Sequence, residues 1–81
     1  MNTDVKTQRV AIGISGLGYA GSGASSVEKA LAGIAGVLRA YVNAGTEMAY
    51  VEYDPSRLST DGLVSAVRAA GFEAESPIPL G

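Results

Sequence analysis

Hydrophobic and polar residues alternate near the start of the chain. Val10, Ile12 and Ile14 fall on one side of an extended backbone, and small or polar residues fall on the other. A period of two predicts a half-buried β-strand. The residues before this strand are polar, so we expect residues 1–8 to be a disordered N-terminal segment.

Two later segments carry a helical period instead. Apolar residues stand at positions i, i+3, i+4 and i+7 from Val27 to Ile34, and again from Leu63 to Ala70. This spacing puts the apolar side chains on one face of a helix, so the pattern predicts two amphipathic helices.

Both predicted helices have end signals. Ser25 and Glu28 fit a capping box at the start of the first helix. Ser59 or Thr60 can cap the second. The expected helix stops are two glycines, Gly36 and Gly71.

Shorter alternating stretches predict three further strands. Residues 37–43 and 47–53 flank a turn, which favours an antiparallel hairpin. Residues 72–76 form a short last strand, and the proline-rich residues 77–81 form an edge strand or a linker tail. In the first hairpin strand we expect three side chains on one face: Leu38, Ala40 and Val42.

This order of elements, βαββαβ, predicts an α+β fold. Right-handed crossovers give the ferredoxin-like arrangement, a four-stranded antiparallel sheet with two helices on one face. We expect this domain to occupy residues 9–76. The helices should pack on six sheet residues: Val10, Ile12, Ile14, Val42, Ala49 and Val51.

Composition removes several classes of function. The 81 residues include no cysteine and no histidine, which excludes disulfides, thiolate metal sites and the common catalytic sets. We therefore expect no enzyme. Six scattered basic residues and a net charge of −2 argue against nucleic-acid binding. With no apolar run near ~20 residues, we expect no membrane insertion of this chain and a cytoplasmic location.

The chain resembles the heavy-metal-associated (HMA) domain family, which includes copper chaperones, mercury-binding proteins and the amino-terminal metal-binding domains of P-type ATPases. The similarity covers residues 9–75. It is carried by Ile14-Ser-Gly16, by Val27-Glu-Lys-Ala-Leu31, by residues 49–55 and by Ala70-Gly-Phe72.

The chain departs from the family at the loop before the first helix. The family has Met, a small residue, and then two cysteines separated by two residues. Here Leu17 stands at the methionine position, and Tyr19 and Ser22 stand at the cysteine positions. Counted back from Val27, Gly23 takes the second cysteine position instead.

The resemblance therefore implies a soft-metal module without its ligands. The family carries Cu(I), Zn(II) or Hg(II), but hydroxyl groups do not replace a thiolate pair, so we expect no metal site and no cofactor. Another HMA-like domain or a metal-transporting ATPase is the implied partner, with Lys29 as the nearest basic residue to steer docking. The loss of the cysteines is either natural or engineered.

Phe72 stands where the family places an aromatic residue beside the metal loop. Two interpretations stay open for it, shielding of the loop or simple core packing. Glu73 and Glu75 share one face of the last strand, which is typical of a solvated face.

Two further hypotheses do not involve metal. The first is a small-anion site in the glycine- and serine-rich loop at the start of the first helix. Its candidate residues are Gly21, Ser22, Gly23, Ala24, Ser25 and Ser26. The second is a structural or protein-interaction domain that self-associates through a sheet face carrying Tyr41, Met48 and Tyr50.

Overall fold

A computed structural model of the chain describes residues 6–17 and 22–81. In chain order, its elements are β1 (Gln8–Ser15), α1 (Ser22–Ala32), β2 (Val37–Asn43), β3 (Met48–Tyr53), α2 (Thr60–Ala69), β4 (Glu73–Ala74) and β5 (Ile78–Pro79). The sheet has the order β2-β3-β1-β4, with every pair antiparallel, and β5 also pairs with β1. The predicted ferredoxin-like α+β fold is confirmed.

A single apolar layer lies between the helices and the sheet. The alternation predicted for β1 is confirmed, because Val10, Ile12 and Ile14 are all buried in this layer. Burying side chains of this size stabilises the fold by roughly 1.5–3 kcal/mol each. Four helix residues with no exposed surface meet them: Val27, Leu31, Leu63 and Val67.

The predicted capping box of α1 is wrong. The helix begins at Ser22, so Ser25 lies inside the first turns and is exposed. The Glu28 carboxylate does not turn back to the helix start; it accepts a 2.8 Å hydrogen bond from the N–H of Val42. Because β2 is an edge strand, this bond satisfies a donor that the sheet leaves open.

The predicted orientation of Leu38 is also wrong. The pairing of β2 with β3 shifts register between Val37 and Arg39, so Leu38 is an extra residue in the strand. Such a bulge reverses the side on which the flanking residues fall. Leu38 is consequently 55% exposed, and Val37 packs against the core in its place, while Ala40 and Val42 face the core as expected.

The start and the end of α2 agree with the sequence. Ser59 is the N-cap, and its hydroxyl accepts from the N–H of Gly62 at 3.4 Å. Gly71 follows the helix with a φ of +99°, and the N–H of Phe72 bonds back to the carbonyl of Val67. Gly36 has a φ of +101°, but α1 ends at Ala32, so this glycine turns the chain into β2.

The end of the chain is more regular than a tail. Strand β4 is shorter than predicted and covers Glu73–Ala74, although the N–H of Glu75 still bonds to the carbonyl of Gly13. Strand β5 then pairs with Val10 and Ala11 of β1. Residues 78–79 therefore extend the same sheet edge that β4 begins.

Candidate functional site

The candidate site is the connection between β1 and α1. Tyr19 and Gly21, with Gly18 and Ala20, lie outside the described residues, and for Ser22 only the backbone is described. The structure defines the two ends of the connection, which are Leu17 and Gly23.

The two ends meet in close contact. Leu17 is 4% exposed and belongs to the core, and Gly23 is buried directly beside it. A Cβ atom at Gly23 would lie 2.8 Å from the Cα of Leu17 and closer still to its carbonyl oxygen. Real Cβ atoms are not found this close to backbone. Gly23, one of the two positions aligned with the second family cysteine, therefore has no room for a side chain unless the backbone moves.

Phe72 lies at the base of the same connection. Its ring carbon Cδ1 is 3.9 Å from the position that a Cβ would take at Gly16, which has a φ of +91°. The ring is half-buried and packs against the core cluster. Leu17, Gly16, Gly23 and Phe72 thus form the base of the loop. The packing of Phe72 against the core agrees with the core-packing interpretation, and shielding of the loop stays a prediction.

Two basic residues lie in the last turns of the two helices. Lys29 is exposed but lies in the last turn of α1, about 10 Å along the helix from Ser22. Arg68 lies in the last turn of α2, four residues before Phe72. Arg68 is not obvious from the sequence, because it is distant from the loop along the chain. The available signal was its helical spacing from the aromatic position.

The serines expected to hold an anion lie in the first two turns of α1. Ala24 packs against the core, whereas Ser25 and Ser26 are exposed. The first turn has no acidic side chain, so its free N–H groups carry the usual partial positive charge of a helix start. These are general properties of helix N-termini, and anion binding stays a prediction.

The donor set does not fit a soft cation. Within residues 6–17 and 22–81, no group of three or more acidic side chains is placed to hold a metal ion. The whole sequence lacks cysteine and histidine, and the residues at the family cysteine positions, Tyr19 and Ser22, offer only hydroxyl oxygens. Soft ions such as Cu(I) favour sulfur over oxygen.

Neither described helix is long and apolar enough to cross a membrane.

Sequence comparison identifies the relatives of this arrangement. The profile of the heavy-metal-associated domain matches residues 21–73. A copper-exporting P-type ATPase of Staphylococcus epidermidis is 34% identical over 73 residues, which is 90% of this chain and 9% of that relative. The chain thus spans only a small part of that protein's length.

Solved structures give the same result for the fold. The amino-terminal domain of a potential copper-translocating P-type ATPase from Bacillus subtilis, in its Cu(I)-loaded state, aligns with a TM-score of 0.79 at 34% identity, covering 86% of each chain. Oxidized MerP from Ralstonia metallidurans aligns with a TM-score of 0.82 at 27% identity, covering 86% of this chain and 96% of MerP. With the profile, the sequence relative and the fold in agreement, this chain belongs to the heavy-metal-associated domain family.

Proposed function

We propose that this domain is a non-enzymatic docking module of a soft-metal transport protein, and that it does not grip the metal through its loop. One observation carries the proposal. The base of the loop is packed as part of the family fold, with contacts from Leu17, Gly23 and Phe72. The sequence nevertheless contains no cysteine.

The chemistry of the loop supports the loss of metal binding. Tyr19 and Ser22 offer hydroxyl groups, which do not replace the two thiolates of the family. Neutral oxygen donors are poor ligands for Cu(I), the ion with which the Bacillus subtilis relative is loaded in its solved structure. The metal is therefore expected on a partner that carries thiolates.

Docking uses the end of the helix layer where the loop base lies. The partner in this proposal is a thiolate-bearing HMA domain or a metal-transporting ATPase, because the relatives include copper-exporting ATPases. Lys29 and Arg68 give this layer two cations that can speed encounter with an acidic partner surface. The proposal keeps the cytoplasmic location expected from the sequence.

The proposal is tested by titrating the isotope-labelled domain with the amino-terminal domain of the Bacillus subtilis ATPase. We expect fast-exchange shifts of amide signals at Gly16, at Gly23–Val27 and at Phe72. Arg68→Glu should weaken this binding, whereas Arg57→Glu, in the turn after β3, serves as the matched control. Unchanged spectra up to about 1 mM partner, or shifts confined to the outer face of the sheet, would contradict the proposal.

A further inference from the structure

The sheet face that points away from the helices carries an exposed aromatic and apolar row. Since Val10 and Ile12 point into the core, Ala11 between them points to this face, where it is only 4% exposed, so the accessible surface of the row comes from its larger members. Strand register aligns it with three residues on neighbouring strands: Tyr50, Tyr41 and Ile78. Their exposed fractions are 40%, 56% and 56%, respectively, which is high for large apolar side chains.

The two tyrosine rings of this row stack on each other. Their ring centroids are 6.3 Å apart, and their planes differ by 16°, so the rings stack with an offset. A shallow groove of about 300 Å³ lies beside them, and its lining includes Arg9, Arg39 and Leu80.

The rows on either side of the tyrosines have opposite charge. On one side, Arg9 and Arg39 flank Glu52, whose carboxylate accepts a 2.9 Å hydrogen bond from Thr7. Two guanidinium groups against one carboxylate leave this row positive.

The other side is acidic. Glu75 extends its side chain over Gly13, with Oε1 2.5 Å from the position of a Cβ at that glycine. Glu73 pairs with Ser15 one row further along and is also exposed. The face is therefore positive at one end, apolar in the middle and negative at the other end.

We propose that a second copy of this chain docks on this face through a two-fold axis that lies in the interface along the Tyr41–Tyr50–Ala11 row. Such an axis places the apolar row of one copy on the same row of the other. It reverses the strand direction, so Arg9 of each copy faces Glu75 of the other, and the two charge contacts form together. The same operation brings Met48, whose unbranched side chain adapts to irregular gaps, towards the groove beside Glu52.

The size of the face sets the strength of the dimer. Four strands about 4.8 Å apart, crossed by three rows of side chains, give a patch of about 20 Å by 20 Å. This is smaller than the ~800 Å² per partner of a standard stable interface, so the dimer should be weak and transient. The helix layer and the loop base stay free, and this inference does not rest on the proposed function.

Sedimentation velocity on the purified chain, from about 10 µM to about 1 mM, tests the proposal. We expect a reversible monomer–dimer equilibrium that weakens at high salt. Arg9→Glu and Glu75→Arg should each raise the dissociation constant by at least about tenfold, and the double variant should restore dimerisation. Lys29→Glu and Asp61→Arg make similar charge reversals on the helices and should leave the equilibrium unchanged.

The double variant distinguishes this geometry from general charge effects, and circular dichroism verifies that each variant is folded. A chain that stays monomeric at about 1 mM overturns the proposal. So does a dimer that neither single reversal weakens, or one that the double reversal fails to restore. A dimer disrupted by Lys29→Glu would place the contact on the helices and would equally overturn it.

Discussion

The two strand-to-helix connections on this scaffold are held by different means. Between β3 and α2, one Asp54 carboxylate oxygen accepts from the N–H and the hydroxyl of Ser56, at 2.9 and 2.7 Å. Ser59 then caps α2, and Asp61 lies in its first turn. Between β1 and α1, the first turn has no acidic side chain, and the backbone of Leu17 packs on Gly23.

The comparison shows that a connection can be held in place with or without hydrogen bonds from its own side chains. The α2 connection uses its own polar side chains to fix the start of the helix. The α1 connection is fixed at its base by the packing of the Leu17 backbone on Gly23. We therefore expect that the residues at the family cysteine positions can change while the framework is kept.

The largest expected effect comes from returning thiolates to the α1 connection. Tyr19→Cys together with Ser22→Cys restores the two-residue spacing of the family cysteines. Because Cu(I) prefers thiolates, we expect its affinity to rise by more than about 10³-fold, or about 4 kcal/mol. Competition with a chromophoric Cu(I) chelator measures the change.

Tyr19→Cys alone is the control for that experiment, since one thiolate cannot form the two-coordinate site. If the folded double variant bound Cu(I) no better than this single variant, the idea that the framework still supports a two-thiolate site would be wrong.

Replacing a glycine by alanine in the first turn of each helix should lower the free energy of unfolding by different amounts at the two connections. Gly23→Ala puts a Cβ into the Leu17 backbone and should cost about 3 kcal/mol or more in the free energy of unfolding. Gly62→Ala meets only the end of the Leu58 side chain, which can move, and should change stability by less than about 1 kcal/mol. Urea unfolding measures both, and equal losses would contradict the contrast.

Removing a serine hydroxyl from each helix should show a smaller difference. Ser59→Ala removes the cap of α2 and should cost about 0.5–1 kcal/mol, the low end for a cap whose bond is long. Ser25→Ala changes an exposed position inside α1, where alanine is the better helix former, so stability should stay within about 0.5 kcal/mol. A larger loss at Ser25 would mean that it caps the helix after all.

The smallest effect concerns Asp54. Hydrogen bonds from the hydroxyl and the N–H of Ser56 favour the ionised carboxylate and lower its pKa below the ordinary value of 3.8. Because the folded pKa is the lower one, this contribution to stability is present above pH 3.8 and is lost as the pH falls through the folded pKa. Carboxyl chemical shifts against pH should show the lowered value, and Ser56→Ala should raise it.

The fold was predictable because the hydrophobic periodicity of each segment and the order of the segments along the chain point to the same topology. Alternation at Val10–Ile14 and helical spacing at Leu63–Ala70 agree with the topology that right-handed crossovers require. The orientation of Leu38 was not predictable, because a bulge leaves no mark in an alternating apolar strand. The sequence assigned Glu28 to a capping box, whereas its carboxylate accepts a hydrogen bond from Val42. A glutamate serves equally well in either role, so the residue type does not distinguish them.

The candidate site was only partly predictable. The sequence identifies the positions of the missing cysteines and the neighbouring Phe72. It does not indicate that Gly23 is closed by the Leu17 backbone, since a glycine needed for close approach looks like one in a flexible loop. The charge pattern of the outer sheet face was hidden because its rows combine residues from β1 to β5.

We infer that the chain keeps the family framework and has lost tight binding of a soft cation. The decisive experiment is a competition titration of the unmodified chain with Cu(I), followed through the amide signals of Leu17 and Gly23. We expect the chelator to keep the metal and these signals to stay unchanged. A one-to-one complex with a dissociation constant below about 1 µM, with shifts centred on the β1–α1 connection, would contradict it.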